Sequence, residues 1–257
     1  MKPSEFSDVA ERVAPVLYRM ATRMCGSADE AEDLVQDTLL QAFRKWGQFE
    51  RRSDPTTWLY TIATRICRRR HRRRAGEPAH IESLSELLPT SDEPVVHLPA
   101  PGASPADEQL RKEAERTVGR VLAGLPLSFR LPLVLADIAE LTTAEIARVL
   151  GLKEATVKTR VHRARLRVRR ALLAKLPRLD APAPDHERQV CLDLLRAKQE
   201  SFDRQVPFPF SSDELCVRCR TVFGTLDLGR SACMALVGDG PLPPRLQALL
   251  TSQQAAS

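Results

Sequence analysis

The stretch TTAEIARVLGLKEATVKTRVHRARLRVRRAL, residues 142–172, decides the fold: two helical patterns meet at a glycine, and the second is loaded with Arg and Lys. Ile146, Ala147, Val149 and Leu150 make one apolar face before Gly151, and Val157, Val161, Ala164, Val168 and Leu172 make another at helical spacing after it. Thr142 or Thr143 caps the first helix through its hydroxyl. Glu145 or Glu154 stands near a helix N-terminus, where unsatisfied N–H groups and the helix dipole favour acceptors. With the apolar positions turned inward, the second helix presents Lys158, Thr159, Arg160, Arg163 and Arg167. Arg pairs with the acceptor edge of guanine in the major groove, Thr reaches a thymine methyl or a phosphate, and Lys neutralises phosphate. The pattern reads as a helix-turn-helix with a basic recognition helix. A solvated basic helix on a small bundle is the competing reading, and it leaves the cap and the glycine turn without a purpose.

Composition sets the frame around that motif. A chain of 257 residues, 43% of them apolar, holds two or three small domains with their own cores. Aromatics are few and alternating β-branched runs are scarce, so the expected fold is all-α. No run of about 18 apolar residues exists, and MKPSEFSDVAERV at the start has no apolar signal core, so a cytosolic protein without a membrane segment is expected. A formal net charge of +6 understates the asymmetry: Arg51, Arg52 and the run from Arg65 to Arg74 form one basic cluster, and the recognition helix forms another. Two phosphate-facing surfaces follow.

Four segments are expected: a helical domain over 7–75, an acidic proline-rich linker over 76–108, the helix-turn-helix domain over 109–177, and a small Cys-rich helical unit over 185–250. The clearest helix of the first domain runs from Ala28 to Trp46 on an apolar stripe of Leu34, Val35, Thr38, Leu39, Ala42 and Phe43, with Glu30, Asp33, Asp37, Gln41 and Arg44 outward. A second carries Trp58, Leu59, Ile62, Ala63 and Ile66 into the arginine run. The linker has several prolines and acids and no Lys or Arg, a composition that suits a flexible tether.

Taken together, SADEAEDLVQDTLLQAFRKW, DPTTWLYTIATRICRRRHRRR and the helix-turn-helix resemble, in that order, the extracytoplasmic-function class of bacterial sigma factors, from about Ala10 to Leu176. The resemblance implies partners: core RNA polymerase, promoter DNA and, in many members, an anti-sigma factor. It implies that the polar face Asp33, Gln36, Asp37 and Arg44 docks the polymerase's largest subunit. It also implies that the Trp58–Arg74 helix opens minus-10 DNA and holds an unstacked base. Many members space Asn, Asp and Arg along this helix. The corresponding positions here are Arg65, Arg69 and Arg72, so only the last agrees. Lys158, Thr159, Arg160 and Arg163 would read the minus-35 element, with Arg165 or Arg167 on phosphate. The resemblance asks for no catalytic group, because RNA synthesis belongs to the polymerase.

The last third carries Cys191, Cys216, Cys219 and Cys233, whereas Cys25 and Cys67 fall in helical core patterns. In a reducing compartment such a cluster favours a metal site or a redox switch over structural disulfides. Cys216 and Cys219 form a CxxC that chelates one ion, with Cys191 and Cys233 or His186 available to complete four-coordination. The segment is similar to the zinc-binding domain of many anti-sigma factors, with Ser212 at the position of the expected His. That departure favours the set Cys191, Cys216, Cys219 and Cys233, a thiolate-rich group suited to Zn²⁺ or Cu⁺. Two other function classes stand beside a sigma factor with a fused sensor. A stand-alone helix-turn-helix regulator with a structural zinc would leave the first-domain motifs unused, and a zinc-dependent nucleic-acid enzyme would need an HxE element the tail lacks.

Overall fold

A computed structural model describes residues 3–25, 27–50, 54–72, 94–180, 185–235 and 241–255. The fold is all-α, as the periodicity predicts, with ten α-helices among these residues and one pair of two-residue strands.

The first three helices, α1 (Pro3–Met24), α2 (Ala28–Lys45) and α3 (Pro55–Arg72), pack together. Ser27 starts α2 by accepting a hydrogen bond from the Glu30 amide, and the stripe Ala31, Leu34, Val35, Thr38, Leu39 and Ala42 is buried. An aromatic cluster locks the far end of α2. Trp46 lies edge-on to Phe6 at 5.2 Å and parallel to Phe49 at 5.5 Å, and Trp58 joins both.

The second half begins earlier than the composition suggests. Residues 73–93 lie outside the described residues, but 94–108, expected as flexible linker, are well formed. Val95 and Val96 are buried, and α4 (Pro105–Gly124) is already helical at Pro105 under a Ser104 cap. The proline that reads as a breaker sits instead in the first turn, where its missing N–H costs nothing. The strand β1 (Val95–Val96) pairs antiparallel with β2 (Arg178–Leu179), and Asp107 binds His97, so this end of the linker is tied down.

Helices α5 (Leu127–Asp137), α6 (Thr143–Leu150) and α7 (Glu154–Leu173) complete the helix-turn-helix domain. Thr142 is the cap of α6, within a full capping box with Glu145, while Thr143 points its hydroxyl at Glu154, 3.3 Å away. Gly151 ends α6 at φ +65°, a left-handed conformation that a side chain would strain. Val157, Val161, Ala164, Val168 and Leu172 are all buried.

The C-terminal segment does not form a separate unit over 185–250. It divides into a hairpin of α8 (Arg188–Arg204) and α9 (Val217–Ala235), and a distant α10 (Pro244–Ala255). A small core of its own joins α8 to α9, but α9 also lies along α4 and α7. Gly229 allows that approach, since a Cβ there would sit 3.0 Å from Val168. A Cβ on Gly224 would collide with Leu98, so the tied-down linker end also leans on α9. Helix α10 docks on α1 and α2 through buried Leu246, with Arg245 reaching Asp33 at 3.9 Å. A single apolar core therefore runs from α1 through α7 and takes in Ala232, Cys233 and Leu246.

Candidate nucleic-acid interface and cysteine site

The residues assigned to polymerase docking lie along one side of α2. Asp33, Asp37 and Arg44 are exposed and Gln36 is half-buried. Two of them are engaged within the chain: Asp37 pairs with Arg70 of α3 at 2.6 Å, and Asp33 faces Arg245. On α3, Arg65 and Arg69 are exposed. Arg72 closes the helix, and its side chain lies outside the described residues. Arg68, between them in sequence, faces inward and donates to the Leu150 carbonyl at 3.0 Å, so α3 lies against α6. Burial and the neighbouring Arg160 charge lower the Arg68 pKa.

On α7, Lys158, Thr159, Arg160 and Arg163 are half-buried, and only Arg167 of the basic face is open. Arg160 donates to the Ser128 carbonyl at 3.4 Å, and Lys158 lies 3.6 Å from Glu154 and 3.9 Å from Asp203. Arg165 is not a phosphate contact. It is 7% exposed, pairs with buried Asp137 at 2.5 Å, and stacks its guanidinium over Phe202 at 4.5 Å. The helical period places it on the flank between the two faces, and α5 and α8 close over that flank. Arg169 is buried the same way and donates to Thr225 of α9 at 3.1 Å.

Three side chains escaped the sequence reading. His162 lies one turn beyond Lys158 on the basic face, and Phe202 and Asp203 close α8. His162 stands 3.3 Å from Asp203, and Thr143 donates weakly to the Asp203 carbonyl at 3.5 Å. A signal for His162 existed in its i+4 spacing from Lys158. None existed for Phe202 and Asp203, whose contact with α7 depends on how α8 is hung.

Of the four cysteines expected to gather, three do. The sulfurs of Cys191, Cys216 and Cys219 all lie within 4.8 Å of one another, and all three residues are buried. Cys233 does not join them. It is fourteen residues beyond Cys219 on the same straight helix, about 21 Å along the axis at 1.5 Å per residue. It is buried instead near Arg23, Asp137 and Arg165, where loss of solvent pushes its thiol pKa well up. His186 is exposed and outside the thiol group as well.

The triad fits a thiophilic ion. Sulfurs bound to one Zn²⁺ at about 2.3 Å stand about 3.8 Å apart, within reach of this cluster. Cys216 immediately precedes α9, and the Cys219 amide donates to its sulfur at 3.4 Å, the kind of N–H support that metal-bound thiolates receive. Burial, then hydrogen bonds with Cys191 and Cys216, push the Cys219 thiol pKa well up, so the proton stays unless something stronger takes its place.

Residues 9–77 match the sigma-70 region 2 family, and residues 115–168 match the sigma-70 region 4 family. The chain is 31% identical over 170 residues to the ECF RNA polymerase sigma factor SigW of Bacillus subtilis, covering 65% of this chain and 88% of that protein. This chain belongs to the ECF RNA polymerase sigma factors. SigM of Mycobacterium tuberculosis is 30% identical over 167 residues, covering 65% of this sigma factor and 76% of that one. The sigma factor RpoE of Bartonella quintana, solved in complex with the anti-sigma factor NepR, aligns at 28% identity and a TM-score of 0.44 over 65% of this chain and 96% of that one. In this sigma factor most of α1 and all of α2 and α3 fall within region 2, and α5, α6 and most of α7 fall within region 4. The class directs transcription and is not one of enzymes. Among the described residues no helix is long and apolar enough to cross a membrane.

Proposed function

We propose that this sigma factor binds core RNA polymerase through the polar side of α2, holds melted minus-10 DNA on the arginine face of α3, and reads the minus-35 element with α7. Its output is set by metal or oxidation at the C-terminal thiols. The observation that carries the regulatory part is the convergence of Cys191, Cys216 and Cys219 in a hairpin that is packed on the recognition helix. Cys191, Cys216 and Cys219 would hold a Zn²⁺ or Cu⁺ ion, which keeps thiols deprotonated and ties α8 to the start of α9. The protein's share is the preassembled, buried pocket. A stand-alone helix-turn-helix regulator gains nothing from a complete region 2, so the sigma reading stands.

Run-off transcription with purified core polymerase, with and without Zn²⁺ and Cu⁺, tests both parts. The wild-type chain is expected to carry about one metal equivalent, the stoichiometry one chelating site implies. Its transcription is expected to respond to that metal. The Cys216→Ser/Cys219→Ser variant is expected to lose both the metal and the response. Unchanged metal content and unchanged metal-dependent transcription in that variant would refute the sensor, and no transcription from any promoter library would refute the assignment of the DNA and polymerase surfaces.

A further inference from the structure

The closed arrangement cannot sit on a promoter. Elements centred near minus-10 and minus-35 are about 85 Å apart at 3.4 Å per base pair. Helix α3, however, touches α6 through the Arg68–Leu150 bond. The 22 residues between α3 and β1 reach about 75 Å when extended, so together with the breadth of the two helical halves the chain permits separation once the packing gives way.

We infer that the C-terminal end of α8, Phe202 with Asp203, is an intramolecular competitor of promoter DNA that occupies the recognition helix in the free sigma factor. This deepens the regulatory reading above, and rests on it only for the signal that lifts α8. Asp203 is 5% exposed and places its carboxylate against Lys158 and His162, two neighbouring positions on the basic face of α7. An anion at that place, facing those cations, has the chemistry of a DNA phosphate. Phe202 lies beneath it as the apolar anchor, with Arg165 at 4.5 Å, Lys198 at 4.8 Å and Arg230 at 5.7 Å from its ring. Gln205 closes the seat by donating to the carbonyls of Ala136 and Leu141, and Arg230 ties Gln205 to Glu140.

The seat is held without being satisfied. His162 Nε2 and Asp203 Oδ1 are buried at ion-pair distance but not in hydrogen-bonding geometry, and neither atom has another hydrogen-bond partner among the described residues. A buried carboxylate paired this loosely has not recovered its hydration, so a DNA phosphate displaces it at a lower cost than it would a fully hydrogen-bonded ion pair. The same helix carries Cys191 twelve residues earlier, about 18 Å along a continuous rod. A change at the thiol triad that tilts α8 therefore moves Phe202 and Asp203 directly.

The test uses the full-length chain without polymerase and a fluorescent 30-base-pair mixed-sequence duplex at low salt. Asp203→Asn and Phe202→Ala are each expected to tighten duplex binding about tenfold over the wild type. Asp193→Asn, which removes the same charge from an exposed position on α8, is expected to change it less than about twofold, the size of a screened surface effect. Equal affinity of Asp203→Asn and Asp193→Asn would overturn the inference. A second measurement needs no variant: saturating duplex should speed hydrogen exchange across residues 199–205 of the wild-type chain. Exchange there that ignores DNA overturns it equally. Failure here with normal run-off transcription discards only the competitor. Failure of transcription, with the duplex effects intact, discards the promoter assignment and leaves the masking contact standing.

Discussion

Asp137→Ala is expected to destabilise the region 4 half of the protein by about 3–5 kcal/mol, because it strands a buried guanidinium. Asp137 and Arg165 are 2% and 7% exposed, and the Arg165 Nη1 atom already lacks a partner among the described residues. Removing the carboxylate leaves Arg165 between α5, α7 and Phe202 with its charge uncompensated. Replacing the pair with apolar residues of similar volume, Asp137→Leu with Arg165→Met, should recover most of the loss, since neither side chain then has hydration to forgo. Urea unfolding followed by helical ellipticity measures both. A single-variant loss under about 1 kcal/mol would mean that the pair is hydrated in solution, contrary to its burial.

That pair also shows where a linear reading stops. The helix-turn-helix was legible because its determinants are local: a capping box from Thr142 to Glu145, a left-handed Gly151, and an apolar period that fixes which side of α7 faces α5. The apolar stripe of α2 was legible for the same reason. Arg165 looked like a phosphate contact because charge alone marks an arginine as external, and its acid lies 28 residues back on another helix. Cys233 looked like a ligand because spacing in sequence says nothing about a straight rod, on which fourteen residues are a long distance. The Cys-rich unit over 185–250 looked separate because Pro177, Pro182 and Pro184 ahead of it read as a boundary. What undoes that boundary is Gly229, which lets α9 lie on α7, and Leu246, which carries α10 back to region 2. Both are long-range matches of shape with no local signature.

A sharper separation of fold from contact comes from two other arginines on α7. Arg160→Ala with Arg163→Ala is expected to lower transcription from a minus-35-dependent promoter by at least about 30-fold, since two base contacts at about 1–3 kcal/mol each are lost. Both side chains are half-buried rather than sealed, and Arg160 makes a long 3.4 Å contact to a backbone carbonyl. The unfolding midpoint should therefore move little, a cost of about 1 kcal/mol or less. Affinity for core polymerase should also hold, because α2 is untouched. Arg165→Ala, two residues further on, should show the reverse order, with stability lost first and transcription lost in consequence. Were the Arg160/Arg163 variant to transcribe normally, α7 would not be the minus-35 reader. Were it to unfold instead, the half-buried face would be carrying region 4's stability, and the DNA-facing role would pass to exposed Arg167.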